Sequence, residues 1–394
     1  MTKLYSSGSP VDHVTVADDL LHKNLLDRLG GPQFLINLAG LVSSTANVDY
    51  YAAIVREKAI RRKLILAGQS IIKLASDYRT TNSSILEEAE KLVFNAGMNS
   101  TSNDFIHLRE LVPNVLNSIE NTAKSGPMSA RYPTGLIDLD RILLGGLEPG
   151  SLNIIAARPS MGKTALAMNI AQFGGNSPKA PVLIFSLEMP ASQLVKRMIA
   201  AHSGITLTAL TTGALTANDF SALKETCSLL AQSEIYINDT PQLSSIDMRA
   251  RCRRFKMRHP ELSVIVVDYL QLMTSGNDQF MYNRTQEVSD ISRGLKAVAR
   301  EMNCPVIALS QLSREAEKRA DKKPQLADLR DSGAIEQDAD VVMLLFRQDY
   351  YSEHENNDLK DSDADLRVAK NRNGATGTCK LTFKREVTRF LNQG

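Results

Sequence analysis

The sequence predicts an α/β fold, a mostly parallel sheet flanked by helices, preceded by a small all-α N-terminal domain and a linker helix. Two observations set that architecture. From Thr134 onward, short apolar runs alternate with helical patterns, the rhythm of a parallel sheet covered on both faces. Residues 1–100 carry helical periodicity instead. A third observation fixes the chemistry. The apolar run Leu152-Asn153-Ile154-Ile155 leads into Ala156-Ala157-Arg158-Pro159-Ser160-Met161-Gly162-Lys163-Thr164-Ala165, and a helical pattern follows. Strand, small-residue loop, Gly-Lys-Thr and helix are the context a phosphate-binding P-loop needs.

In such a loop, backbone N–H groups of Ser160, Met161, Gly162, Lys163, Thr164 and Ala165 wrap the β-phosphate at the helix N-terminus. Lys163 reaches the β- and γ-phosphates, and the Thr164 hydroxyl holds Mg²⁺. ATP and Mg²⁺ are the expected cofactors. Ala157 stands where the general pattern has its first Gly.

The chain has 394 residues, which favours two domains. The boundaries read as 1–100 for the helical region, 101–133 for a linker with an amphipathic helix, and 134–394 for the ATPase. Net charge is +2, so any nucleic-acid surface is local rather than global. Cys227, Cys252, Cys304 and Cys379 lie far apart. They suit neither a zinc site nor a disulfide framework and read as reduced thiols. No apolar stretch approaches the roughly 18 residues of a membrane span, and the N-terminus has no hydrophobic signal core. The expected location is cytoplasmic, with no membrane partner.

In the helical region, residues 48–78 form one long helix. A capping box at Ser84-Ile85-Leu86-Glu87 opens a second. The resulting hairpin cannot bury both faces alone and needs a neighbour. In the linker, Leu108, Leu111, Val112, Val115, Leu116 and Ile119 make a helical stripe. Pro113 interrupts it and is a candidate first-turn residue. This stripe docks either on the next subunit or on its own domain. Strands are expected at 152–157, 182–187, 235–238, 264–267, 306–310, 341–346, 366–369 and 379–383, the last two as an antiparallel addition.

Four further places carry chemistry. Val264-Ile265-Val266-Val267-Asp268 is a buried strand ending in an acid, which reads as the Walker B carboxylate in the Mg²⁺ shell. Glu188, after the strand Val182–Leu187, either polarises the attacking water or is an ordinary acid at a helix start. Gln311 ends the strand after Walker B. It is either a sensor of the γ-phosphate or a polar strand-end residue. Lys370 and Arg372, at i and i+2, share one strand face. They suit equally a finger reaching another subunit's phosphate and a basic edge strand. Two stretches could meet nucleic acid: 274–285 with Arg284, and 318–333 with Arg330, Asp331 and Gly333. Stacking aromatics are scarce there, so contact would be to the backbone. The basic run Arg249–Arg258 reads as a solvated helix.

Together these motifs resemble the DnaB family of replicative hexameric DNA helicases. The matching text includes Phe185-Ser186-Leu187-Glu188-Met189, Val267-Asp268-Tyr269-Leu270-Gln271, Leu309-Ser310-Gln311-Leu312-Ser313-Arg314 and Leu329-Arg330-Asp331-Ser332-Gly333. It continues in Ile335-Glu336-Gln337-Asp338-Ala339-Asp340 and Lys370-Asn371-Arg372-Asn373-Gly374. Ala157 belongs to that family's version of the P-loop. The resemblance implies a RecA-like ATPase domain and a homohexameric ring that moves 5′ to 3′ on single-stranded DNA and unwinds the fork. It implies Lys163 and Thr164 on nucleotide and Mg²⁺, Asp268 on the metal, and Glu188 as catalytic carboxylate. It also implies Gln311 as coupler, Lys370 and Arg372 at the neighbour's site, and Arg330, Asp331 and Gly333 on the DNA backbone. Primase and a helicase loader are the implied partners. Pro10-Val11-Asp12-His13-Val14-Thr15 and Leu29-Gly30-Gly31-Pro32-Gln33-Phe34-Leu35 resemble the second half of the family's helical domain, whose first helices have no counterpart here. Two alternatives stand beside the helicase: a RecA-type repair ATPase, and a truncated, inactive or regulatory ring subunit.

Overall fold

The computed structural model describes residues 12–23, 25–40, 48–76, 107–125, 131–175, 180–274, 284–351 and 361–393, with isolated residues between 85 and 93. The capping box at 84–87 therefore lies outside the described residues. The chain divides into two compact units, 1–107 and 108–394.

The first unit holds α1 (His13–His22), α2 (Pro32–Gly40) and α3 (Val48–Ala75). Asp12 caps α1 in a capping box with Thr15, satisfying N–H groups that a helix start leaves open. Val16, Leu26 and Leu35 form its small core. Along α3, Val55, Ile65, Leu66 and Ile72 are each more than 60% exposed.

The second unit begins with α4 (Leu108–Ser125), which runs through Pro113 rather than starting there. Its stripe of Leu108, Leu111, Val112, Val115, Leu116 and Ile119 is exposed throughout, so this helix does not pack its apolar face on its own domain. After α5 (Ile137–Ile142) come β1 (Leu152–Ala157), α6 (Lys163–Gly175), β2 (Val182–Ser186), α7 (Ala191–Ser203), α8 (Leu207–Thr212) and α9 (Ala217–Ala231). Then come β3 (Ile235–Asn238), α10 (Ser245–Arg258), β4 (Val264–Asp268), α11 (Arg284–Met302), β5 (Val306–Gln311) and α12 (Gly333–Asp338). The chain closes with β6 (Val341–Phe346), β7 (Asp361–Asn371), β8 (Gly377–Lys384) and β9 (Arg389–Asn392).

The nine strands form one sheet in the order β3-β2-β4-β5-β1-β6-β7-β8-β9. The first six in that order are parallel and the last three are added antiparallel. The strand β9 has no counterpart in the sequence-based expectations. Alternate residues of β1 serve two cores. Ile155 and Ala157 pack with Leu166 and Ile170 of α6 and Leu194 of α7. Leu152, Ile154 and Ala156 pack with Ile291, Leu295 and Val298 of α11 and Met248 of α10. This double cover explains why β1, β2, β4, β5 and β6 are almost wholly buried.

Tyr132 bolts the start of the domain to α6. It is buried, and its hydroxyl donates to the Ile170 carbonyl at 3.1 Å. A Cβ at Gly174 would stand 1.9 Å from that hydroxyl oxygen. Gly174→Ala is therefore expected to lower the stability of the ATPase region by roughly 1–3 kcal/mol, measured as the midpoint of its urea unfolding. Tyr132→Phe in the same background should not rescue it, because the ring carbons Cζ and Cε2 would still stand 2.2 and 2.4 Å from the added Cβ.

Candidate active site

The site forms where the parallel strands end. Leaving β1 at Ala157, the chain must turn back over the start of α6. Two residues there take left-handed backbone, Ser160 (φ 63°) and Gly162 (φ 96°). Gly162 also has no room for a side chain, because a Cβ would lie 3.0 Å from the Phe390 ring. Met161 between them is buried and pins the loop. The first residues of α6 are Lys163, Thr164 and Ala165, so their N–H groups open at the helix start, an arrangement whose backbone donors and helix dipole suit an anion such as phosphate.

Parallel pairing brings the other residues to this edge. Ser186 of β2 is level with Asp268 of β4, and the Leu187 N–H donates to the Asp268 carbonyl at 2.7 Å. Glu188 emerges next and is exposed. Ala157 is level with Gln311 of β5. The Thr164 hydroxyl donates to Asp268 Oδ2 at 2.7 Å, so the helix and the Walker B strand meet at one polar contact. Asp268 is fully buried and its Oδ1 has no partner. A carboxylate oxygen left open beside a hydroxyl is the hard oxygen donor set that Mg²⁺ accepts.

The charges pull on one another. Burial pushes the Asp268 carboxyl above the usual carboxylate range, against the opposing pull of Lys163 and the Thr164 hydrogen bond. Burial pulls the Lys163 ammonium down, while Asp268 and Glu188 oppose that. The Lys163 ammonium also stands 4.4 Å from the centre of the Tyr269 ring.

Gln271 links two of the expected residues. Its amide donates to the Ser310 hydroxyl at 2.9 Å and accepts from the Gln311 N–H at 3.3 Å. Its carbonyl accepts from the Arg284 guanidinium at the start of α11. Thus Arg284 and Gln311 are joined through one residue. Of the two nucleic-acid stretches, 275–283 lies outside the described residues. Arg330 and Asp331 fall in a 3₁₀ segment (Leu326–Ser332), and Gly333 is the first residue of α12; the side chains at 330–334 lie outside the described part.

Lys370 and Arg372 both follow a bulge in β7. The β6–β7 register slips between Val342–Lys370 and Met343–Val368, leaving Ala369 as an extra residue ahead of both, so their i, i+2 spacing is untouched by it. The named strand ends at Asn371, and the Arg372 N–H continues the pairing by bonding the Asp340 carbonyl at 2.8 Å. The Lys370 ammonium turns onto α12, donating to the carbonyls of Glu336, Gln337 and Ala339. Arg372 lies past the strand, its side chain 61% exposed.

Arg347 escaped the sequence reading. It is buried in the strand-end region, paired with Asp349 at 3.0 Å. It donates to the Ser160 carbonyl at 3.5 Å and lies 4.5 Å from the Phe383 ring centre. It supports the P-loop from behind, and no local motif marks it.

The comparisons agree with this geometry. Residues 132–392 match the family model for the DnaB-like helicase C terminal domain, and residues 1–57 match the DnaB-like helicase N terminal domain. The chain belongs to the DnaB family of replicative DNA helicases. It is 42% identical over its whole length to the replicative DNA helicase DnaB of Geobacillus stearothermophilus, covering 85% of that protein. It matches the replicative DNA helicase DnaC of Bacillus subtilis equally well, at 42% and 85%. Among solved structures, a DnaB-like replicative helicase studied with primase aligns over 100% of this chain and 90% of its own, at 32% identity and a TM-score of 0.76. The ATPase domain of G40P aligns over 73% of this chain and 99% of its own, at 34% identity and a TM-score of 0.67. As a member of this family, the chain is an ATP-dependent replicative DNA helicase rather than a repair recombinase or an inactive ring subunit. Among the described residues, no helix is long and apolar enough to cross a membrane.

Folding raises the pKa of Asp268. An acid of that kind stabilises the folded state below its ordinary pKa, and that contribution is lost as pH rises through the raised value. At neutral pH the ionised carboxylate therefore costs stability. Asp268→Asn is expected to raise the thermal midpoint of the nucleotide-free protein at pH 7 and to leave it little changed at pH 4. The same variant should weaken Mg²⁺-dependent ATP binding by about tenfold or more, roughly 1.4 kcal/mol, measured with a fluorescent ATP analogue.

Proposed function

We propose that the chain works as a homohexameric ring that hydrolyses ATP between subunits and moves 5′ to 3′ along single-stranded DNA at the replication fork. The observation that carries the reading is the distance between two ends of one sheet. Lys370 is level with Val342, which is level with Ile154 of β1. The Arg372 N–H bonds the Asp340 carbonyl, and the Asp340 N–H bonds the Leu152 carbonyl. Arg372 is therefore level with the start of β1, five residues before Ala157, or roughly 16 Å at 3.3 Å per residue. An arginine there does not reach its own chain's P-loop. As a phosphate ligand it must serve another subunit, the arrangement of an arginine finger in trans.

In this reading Lys163 and the loop N–H groups hold the β- and γ-phosphates. Thr164 and Asp268 hold Mg²⁺, which neutralises developing phosphate charge. Glu188 accepts the proton of the attacking water, and Gln311 relays the γ-phosphate's presence through Gln271 to Arg284. Arg284 and the segment holding Arg330, Asp331 and Gly333 meet the DNA backbone. The exposed apolar stripe of α4 is covered by the adjacent subunit. Primase and a helicase loader are the proposed partners, in a cytoplasmic, nucleoid-associated setting.

Arg372→Ala is expected to cut hydrolysis by about 10³-fold or more while ATP binding, followed by fluorescence, stays intact. Unchanged hydrolysis would sink the trans-site reading. Single-stranded DNA should stimulate hydrolysis, and the DNA concentration giving half the effect should rise with salt. The expected logarithmic slope is about 0.7 per phosphate contacted. A salt-independent stimulation would speak against a backbone grip.

A further inference from the structure

We infer that Asp340 is the positioning residue that aims Arg372, and that it joins this arginine to the two helices that start at the candidate DNA-binding segments. The inference rests on the proposed trans role of Arg372. Asp340 lies between the end of α12 and the start of β6, at the sheet edge opposite Asp268. It is only 7% exposed. Its Oδ2 accepts from the Leu152 N–H at 2.7 Å and from the Lys296 ammonium at 2.5 Å. Its Oδ1 faces the Arg372 guanidinium at 3.9 Å, and its carbonyl takes the Arg372 N–H at 2.8 Å. Main chain and side chain of one residue thus both hold Arg372.

The charge is the informative part. Capping the Leu152 N–H needs only a neutral acceptor, which Asn supplies. A buried carboxylate is costly unless cations compensate it, and here two do, from different elements. Lys296 lies on α11, whose first residue is Arg284. The other helix, α12, begins at Gly333 and ends two residues before Asp340. Its last carbonyls are capped by Lys370, the favourable end for a cation. Both helices that leave candidate DNA contacts therefore converge on the base of the Arg372 turn.

The turn is braced on its other side too. Asn373 donates to Glu148 at 2.7 Å and Asn371 to the Ala375 carbonyl at 3.0 Å. A Cβ at Gly374 would stand 2.6 Å from Asn371 Nδ2. Arg372 is exposed, but its base is fixed, which lowers the cost of ordering it around a phosphate. Asp340 is the one brace that also reaches α11.

The test is Asp340→Asn in the full-length chain. Expected are a lowered thermal midpoint, because Lys296 loses its counter-charge, with unchanged oligomer size and a KM for ATP within about twofold of the parent. The kcat of DNA-stimulated hydrolysis should fall by about tenfold. In an Arg372→Lys background, which keeps the cation and loses the fork, Asp340→Asn should cost little more, because both act through one group. An unchanged kcat would overturn the inference, and so would full additivity with Arg372→Lys. A kcat loss accompanied by weaker ATP binding or altered oligomer size would mark Asp340 as merely structural. If instead Arg372→Ala hydrolyses normally, the trans-site reading fails first, whatever Asp340→Asn does.

Discussion

Six parallel strands, five of them buried on both faces, constrain everything else in the ATPase region. Parallel pairing sends every strand's C-terminal end to one edge of the sheet and every N-terminal end to the other. Walker A, Asp268, Glu188 and Gln311 consequently meet without any long-range design beyond register. The same constraint sends Asp340 and Arg372 to the far edge, because β7 runs antiparallel and finishes where β1 and β6 begin. On the proposed reading, a single fold carries both halves of a phosphate site and keeps them apart, so that a complete site needs two copies.

The phosphate edge bears the electrostatic cost of its task. Lys163 and Asp268 are both drawn toward their neutral forms by burial, and each opposes that for the other. The region also holds left-handed backbone at Ser160 and Gly162 and a buried Arg347 behind the loop. Strained backbone and charges perturbed by burial cluster at functional sites. On the proposed reading, Mg²⁺ would take the open Asp268 oxygen and the phosphates would meet Lys163.

Much of this was legible in the sequence, for physical reasons. The P-loop is a local signal, since its chemistry needs small residues and a Gly-Lys-Thr at one strand–helix junction. The buried strands are legible because both their faces are apolar. Other features were not. The strand β9 is only Arg389–Asn392, too short for a periodic signal. The slip at Ala369 depends on pairing with β6, which no pattern within β7 encodes. The partners of Arg347 and Asp340 come from sequence separations of up to 188 residues, which no local pattern encodes. Pro113 misled for a local reason: it removes one helical hydrogen bond, yet α4 continues on both sides of it.

The exposed stripe of α4 bears on how firmly such copies associate. Six apolar side chains, at roughly 1.5–3 kcal/mol each when fully buried, are worth about 9–18 kcal/mol at most. Association itself costs on the order of 4–15 kcal/mol in lost freedom. The two ranges overlap, so the helix alone is marginal for one contact between subunits. In the proposed ring, a nucleotide held by Lys163 of one copy and Arg372 of the next would add a second contact, and such a junction would tighten and loosen with its nucleotide state. A motor that cycles through ATP has use for that property, which a large, permanently apolar interface would remove.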